Sequence, residues 1–90
     1  MKQFEFIVQD AMGIHARSAG DMAAEAKKYT SHILLIKEKM EADLKNPLAI
    51  MRLAVKQEER VTITVAGEDE NQAIKELKNL TVKIGLSKNR

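Results

Sequence analysis

The 90 residues suffice for one small hydrophobic core, so residues 1–90 are predicted to form a single domain. Fifteen basic and thirteen acidic residues give a formal charge of +2, which permits docking to acidic surfaces but does not require nucleic acid as a partner. The absence of cysteine excludes disulfides and thiolate catalysis, and no apolar run approaches the ~20 residues of a membrane span. Because the N-terminus also lacks a signal-like hydrophobic stretch, the expected location is the cytoplasm.

The first third of the chain predicts a strand followed by a helix. Phe4, Phe6 and Val8 alternate with polar residues, which indicates a strand with one buried face, and Gly13 marks the turn after it. Six apolar residues then recur at the spacing of a helix that buries one side: Ala16, Ala19, Met22, Ala23, Ala26 and Tyr29. This helix is predicted to begin directly after His15.

The middle third predicts a strand hairpin and a short helix. The apolar run within residues 31–37 indicates a buried strand, and residues 40–44 return as a second strand through a turn that lacks glycine and asparagine. Asn46 is a favourable N-cap and Pro47 a favourable first helical residue. A helix of about two turns is therefore predicted, ending near residues 54–55.

The last third predicts a strand and a final helix. Val61, Ile63 and Val65 alternate with threonine and alanine, which is typical of a half-buried strand. The final helix has Asp69 as its predicted N-cap, Gly85 as its C-cap and an apolar stripe made of Ala73, Ile74, Leu77, Leu80 and Ile84. The resulting order, βαββαβα, predicts an α+β fold in which an antiparallel sheet carries helices on one face.

Two histidines are the main candidates for chemistry. Neither belongs to a zinc-binding spacing, so no metal site and no cofactor are expected, and His32 is interpreted as a surface residue at a strand edge. His15 lies at a strand-to-helix junction, where unpartnered backbone amides favour an anion and Arg17 offers a guanidinium for phosphate oxygens. From spacing alone, His15 is either a phosphoryl-accepting nucleophile or a histidine that satisfies backbone groups at a helix start.

The segment Gly13-Ile14-His15-Ala16-Arg17-Ser18-Ala19 resembles the active-site segment of the HPr family, the histidine-containing phosphocarriers of the bacterial sugar phosphotransferase system. Family members usually read G-[IL]-H-A-R-P-A there. The resemblance covers nearly the whole chain, with further matches at Leu44-Lys45, Met51, Leu53, Gly67, Asp69 and Ala73. It implies an open-faced β-sandwich: a four-stranded antiparallel sheet with three helices on one side.

The resemblance also implies a function and a set of partners. Such a protein is a stoichiometric phosphocarrier and not a turnover enzyme. It accepts a phosphoryl group from phospho-enzyme I on Nδ1 of His15 and passes it to IIA domains of sugar permeases. Transcriptional regulators are a further class of partner, no nucleic acid or membrane insertion is expected, and the default oligomeric state is a monomer.

The family's functional residues map onto named positions of this chain. His15 would be the phosphoryl acceptor and donor, Arg17 would stabilise the phosphoryl group, and Ala16, Arg17 and Ser18 would bind the phosphate. Partner docking would involve Gly20, Asp21, Ala24, Lys27, Pro47, Leu48, Met51 and Arg52. For Leu48 and Met51, burial in the core is the alternative to docking.

Five positions depart from the family pattern, two of them beside His15 and three in or next to the second predicted helix. Ser18 replaces the usual proline, so we expect the helix start to survive through local hydrogen bonds, with a looser His15 loop and an altered transfer rate. Asn46 replaces the serine that a dedicated kinase phosphorylates in many Gram-positive members, so that regulatory switch is predicted to be lost. Met12 stands at an often polar position, and Ala49 and Ala54 stand where glycines are common.

These departures leave alternatives to the general sugar carrier. One is an HPr-like regulatory paralogue in a phosphorelay that is not dedicated to sugar uptake. A small basic RNA-binding domain belongs to a different class, but three aromatic residues offer few platforms for base stacking. A purely structural interaction domain would be indifferent to His15→Ala.

Overall fold

Seven elements follow one another in the predicted order. The computed structural model describes residues 1–88, so residues 89 and 90 of the predicted domain lie outside the described part. The strands are β1 (Lys2–Ile7), β2 (His32–Lys37), β3 (Met40–Asp43) and β4 (Arg60–Ala66), and the helices are α1 (Ala16–Ala26), α2 (Pro47–Arg52) and α3 (Glu70–Lys83). The α+β class and the βαββαβα order are thereby confirmed.

The four strands form one antiparallel sheet in the order β1-β4-β2-β3. Its register places Phe4 opposite Ile63, Ile63 opposite Leu35, and Leu35 opposite Ala42. Because side chains alternate between the faces of a strand, this row lies on one side of the sheet, where Ile63 and Leu35 are fully buried. The same side meets the helices, so the row forms the floor of the core.

The buried stripe of α1 differs from the prediction at its first residue. Ala19, Met22, Ala23 and Ala26 are buried as expected, but Ala16 is exposed. Ser18 is buried instead and precedes Met22 by four residues, so it occupies the core-facing place in the first turn. Tyr29 is buried although the helix ends before it.

Asp69 has a different role from the predicted capping role. It occupies the N-cap position of α3, but its side chain makes no capping bond. Its carboxylate instead accepts the backbone N–H of Thr30 at 2.8 Å, the N–H of Ser31 at 3.0 Å and the Ser31 hydroxyl. These bonds lower the pKa of Asp69, and the bond from the Ser31 hydroxyl contributes most. They also attach the α1–β2 connection to the start of α3.

The ends of the other helices follow local chemistry. The C-cap of α3 is Ile84, one residue before the predicted Gly85, and the N–H of Leu86 returns to the carbonyl of Thr81 at 2.9 Å. Helix α2 ends at Arg52, two residues before the predicted region, because Ala54 has a left-handed backbone with φ of 50°. Within residues 1–88, no helix is long and apolar enough to span a lipid bilayer.

We expect Ala54→Gly to stabilise the protein by about 1 kcal/mol, because glycine adopts the left-handed conformation without the steric cost that alanine incurs. Ala49→Gly is the matched control. Ala49 lies inside α2, so the same exchange there should destabilise by about 1 kcal/mol. Urea unfolding of both variants measures the difference, and a loss of stability in Ala54→Gly would contradict the assignment of strain to Ala54.

Candidate functional site

His15 lies at the strand-to-helix junction where the sequence places it. It is the N-cap residue of α1, with an extended backbone (φ −117°, ψ −179°). Its carbonyl accepts the N–H of Ala19 at 2.8 Å, which is the first bond of the helix. The amides of Ala16, Arg17 and Ser18 precede that bond, and such first-turn amides have no acceptor within their own helix. Three backbone donors and the positive end of the α1 dipole therefore lie immediately after His15.

Gly13 sets the position of this junction. It has φ of +68°, and a Cβ atom on it would lie 2.2 Å from the carbonyl oxygen of Val55 and 2.8 Å from Cα of Lys56. The next residue, Ile14, is buried and donates its N–H to the Val55 carbonyl at 3.0 Å. Only glycine fits this approach, so the loop before His15 packs directly against the α2–β4 connection.

Ser18 replaces the usual proline with two hydrogen bonds. Its hydroxyl accepts the N–H of His15 at 3.0 Å and donates to the His15 carbonyl at 3.1 Å. The expected local hydrogen bonding is confirmed, and the helix start is intact. Ser18 is only 3% exposed, and its hydroxyl is committed to the backbone of His15. Its backbone N–H faces the His15 side chain, which completes a capping box.

Asp10 is a residue of this site that the sequence analysis missed. Its Oδ2 lies 3.2 Å from Nε2 of His15, and its Oδ1 accepts the backbone N–H of Met12 at 2.9 Å. The Met12 bond, followed by the His15 contact, holds the pKa of Asp10 below its usual value. An aspartate two residues before a backbone N–H, with glycine next, is the pattern of an Asx turn. This pattern in the sequence could have indicated that Asp10 is held close to the start of α1.

Most of the residues expected to dock partners are exposed on or beside α1 and α2, whereas Gly20 and Pro47 are half-buried. Arg17, Gly20, Ala24 and Lys27 recur every three or four residues along α1, opposite its buried side. Asp21 and Ala24 also border a shallow depression that α1 forms with α3. The cations Arg17, Lys27 and Arg52 are all exposed, and none has an ion-pair partner in the part of the chain that the structure describes.

Helix α2 separates its apolar residues into two sets. Ile50 is buried in the helix and Leu53 directly after it, whereas Leu48 is 66% and Met51 is 42% exposed. Burial in the core is therefore the wrong interpretation for Leu48 and Met51. Met12, on the loop before His15, is 73% exposed.

Asn46 caps α2 as predicted. Its side-chain oxygen accepts the N–H of Leu48 at 3.0 Å and that of Ala49 at 3.2 Å, and Pro47 is the first helical residue. His32 is exposed at the start of β2. Among residues 1–88, no group of three or more histidine and carboxylate side chains could hold a metal ion.

Comparison with known proteins gives one consistent family. Residues 2–82 match the family described as the PTS HPr component phosphorylation site. A phosphocarrier protein HPr of Lysinibacillus sphaericus is 42% identical and covers 97% of this chain and 99% of its own length. The HPr of Mycoplasma capricolum is 35% identical, with coverage of 96% and 97%.

Solved structures agree with the sequence relatives. The histidine-containing phosphocarrier protein of Mycoplasma superposes with a TM-score of 0.96 at 33% identity, covering 98% of this chain and all of its own. The phosphocarrier protein HPr of Bacillus anthracis superposes with a TM-score of 0.79 at 28% identity, covering 88% and 94%. The chain therefore belongs to the HPr family, the phosphocarrier proteins of the phosphotransferase system.

Proposed function

We propose that this chain carries its phosphoryl group on Nδ1 of His15, accepting it from phospho-enzyme I and donating it to IIA domains of sugar permeases. The observation that supports this assignment is the position of His15 as N-cap of α1, directly before three first-turn amides and Arg17. The protein acts stoichiometrically: it is modified and restored once in each relay cycle. We propose a monomer as the working form.

The transfer step needs a nucleophile and positive charge around the phosphoryl oxygens. The Nδ1 lone pair attacks phosphorus while the bond from phosphorus to the donor histidine of enzyme I breaks. The transferred group carries negative charge on its oxygens, and phosphoryl transfer depends on positioning and electrostatic stabilisation. The amides at the start of α1, the dipole of its 11 residues and the Arg17 guanidinium supply that stabilisation.

The proposed docking surface consists of the residues expected from the family together with Met12: Met12, Arg17, Gly20, Asp21, Ala24, Lys27, Pro47, Leu48, Met51 and Arg52. Its exposed apolar members, Met12, Leu48 and Met51, suit the apolar centre of a small interface. Its free cations favour partners whose docking surface is apolar in the middle and acidic at the edge. Enzyme I and IIA domains are the proposed partners of this surface.

Incubation with phosphoenolpyruvate and enzyme I should add one acid-labile phosphoryl group to the wild-type protein, as measured by intact mass. His15→Ala should abolish the addition, because it removes the accepting nitrogen. His32→Ala is the matched control, since His32 is exposed at the start of β2 and lies outside the segment around His15, and it should be phosphorylated like the wild type. Phosphorylation of His15→Ala, or none of a folded wild type by its own enzyme I, would contradict the proposal.

Ser18→Ala should lower the free energy of unfolding by about 1–2 kcal/mol, because it leaves the His15 N–H without its buried acceptor. A loss of about 1 kcal/mol in the positioning of His15 corresponds to roughly fivefold slower transfer. Ser18→Pro restores the family residue, whose ring fixes the backbone without those bonds. We expect it to transfer at least as fast as the wild type in quenched-flow measurements. Equal rates for Ser18→Ala and wild type would show that the hydroxyl does not position His15.

The serine kinase that regulates many Gram-positive relatives should leave this chain unmodified in the presence of ATP. Residues 44–54 contain no hydroxyl side chain, and Asn46 occupies the position of the regulatory serine. Asn46→Ser keeps a favourable N-cap residue and provides an acceptor at the same place, so it is the matched control. Phosphopeptide mapping measures the outcome, and kinase-dependent phosphate on any serine of the wild type would contradict the loss of the switch.

A further inference from the structure

We infer that Asp10 is a positioning residue that holds the neutral His15 imidazole in the tautomer with its proton on Nε2, leaving the lone pair on Nδ1. The inference rests on the proposed function, because it concerns which ring nitrogen is ready to accept the phosphoryl group. It adds a residue outside the segment that resembles the family's active site.

The carboxylate of Asp10 is fixed before it meets the ring. Its Oδ1 accepts the N–H of Met12 at 2.9 Å, and its own carbonyl accepts the N–H of Gly13 at 2.8 Å. This turn leaves Oδ2 as the oxygen that faces Nε2 of His15, at 3.2 Å. The two side chains are 25% and 26% exposed, so the contact is partly shielded from water. Asp10 therefore presents a single, directed acceptor to one ring nitrogen.

The charge of Asp10 decides the tautomer. Its lowered pKa keeps the carboxylate ionised at neutral pH, and an ionised carboxylate can only accept hydrogen bonds. A neutral imidazole has one N–H, so a bond to Asp10 requires that proton on Nε2. The other nitrogen, Nδ1, then carries the free lone pair. Arg17 and the α1 amides are donors, so they cannot accept the Nε2 proton. The Ser18 N–H faces the His15 side chain in a capping box and favours the same tautomer.

The same contact suits both directions of transfer. In the forward step the Nδ1 pair forms the bond to phosphorus, and the pair of the broken bond returns to the nitrogen of the donor histidine. Nε2 keeps its proton, so the phosphorylated ring carries a positive charge that faces the Asp10 carboxylate. Donation to an acceptor nitrogen reverses these changes. No proton has to leave or enter His15 in either direction.

Asp10→Asn is the sharpest test, because the turn fixes how the new amide is oriented. The Met12 N–H needs an acceptor, so the amide oxygen stays at the Oδ1 position and the amide NH2 takes the place of Oδ2. A donor then faces Nε2, which favours the tautomer protonated on Nδ1. Asp43→Asn is the matched control. Asp43 makes the same turn, accepting the N–H of Lys45 at 2.9 Å and that of Asn46 at 3.0 Å, and it contacts no histidine.

Long-range 1H–15N correlation spectra of the three unphosphorylated proteins should be recorded at about pH 8, above the ordinary histidine pKa of about 6.5. We expect the proton of His15 on Nε2 in the wild type and Asp43→Asn, and on Nδ1 in Asp10→Asn. A wild-type proton on Nδ1, or an unchanged tautomer in Asp10→Asn, would overturn the inference. This measurement does not involve enzyme I, so it decides the role of Asp10 even if the proposed phosphoryl transfer fails.

Single-turnover transfer from phospho-enzyme I tests the consequence for function. If nine rings in ten adopt the wrong tautomer, the transfer rate at saturating protein should fall about tenfold, with the affinity for enzyme I unchanged. Asp43→Asn should match the wild type in both quantities. A reversed tautomer with an unchanged rate would overturn the positioning role, whereas no transfer to the wild type would instead contradict the proposed function.

Discussion

The close approach of Gly13 to Val55 and Lys56 is the constraint on which the site depends. It brings the loop before α1 against the α2–β4 connection. The hydrogen bond from the Ile14 N–H to the Val55 carbonyl then fixes the backbone next to His15. The α2–β4 connection is itself held in place by the side chain of Lys37. Nζ of Lys37 donates to the carbonyls of Leu53 and Ala54 at 3.1 and 3.2 Å. A half-buried lysine on β2 thus supports the connection that packs against the loop before His15.

Two residues restrain His15: Ser18 binds its backbone, and Asp10 contacts its ring. Ser18 binds both the N–H and the carbonyl of His15, so the main chain at the helix start is fixed from both sides. Asp10 contacts Nε2 of the His15 ring. Chemistry that depends on the orientation of a nucleophile benefits from both restraints, because each removes a different freedom of the same residue. Where the family usually has a proline ring, Ser18 therefore restrains the same stretch of backbone through hydrogen bonds.

The sequence is informative wherever the signal is local. Alternation in β4, the Asn46-Pro47 start of α2 and the glycine-histidine-arginine segment each depend on neighbouring residues, and the structure places all of them as predicted. Signals that depend on distant partners were missed. The carboxylate of Asp69 binds the backbone at residues 30 and 31, which no local pattern indicates. The exposure of Ala16 has a similar origin, since packing with the rest of the core selected Ser18 in its place.

The contact between Asp10 and His15 depends both on a local sequence pattern and on packing against a distant residue. Five residues separate the two, which is neither the period of a helix nor that of a strand, and the turn at Gly13 is what brings them together. The Asx pattern predicts the turn but not the direction in which the second carboxylate oxygen points. That direction follows only when Gly13 is fixed against Val55, so the packing of a distant loop determines a hydrogen bond at the proposed nucleophile.

The two halves of the proposed site differ in physical character, and the difference suits a carrier. His15 is restrained by a buried serine, a fixed carboxylate and a glycine with no room to move. The proposed docking surface instead presents Met12, Leu48 and Met51 to solvent, and methionine side chains adapt their shape to different apolar partners. A relay must bind a donor and several acceptors in turn and release each one. A restrained histidine beside an adaptable surface would let the proposed nucleophile exchange phosphoryl groups with each of these partners, because only the surface has to change its shape between them.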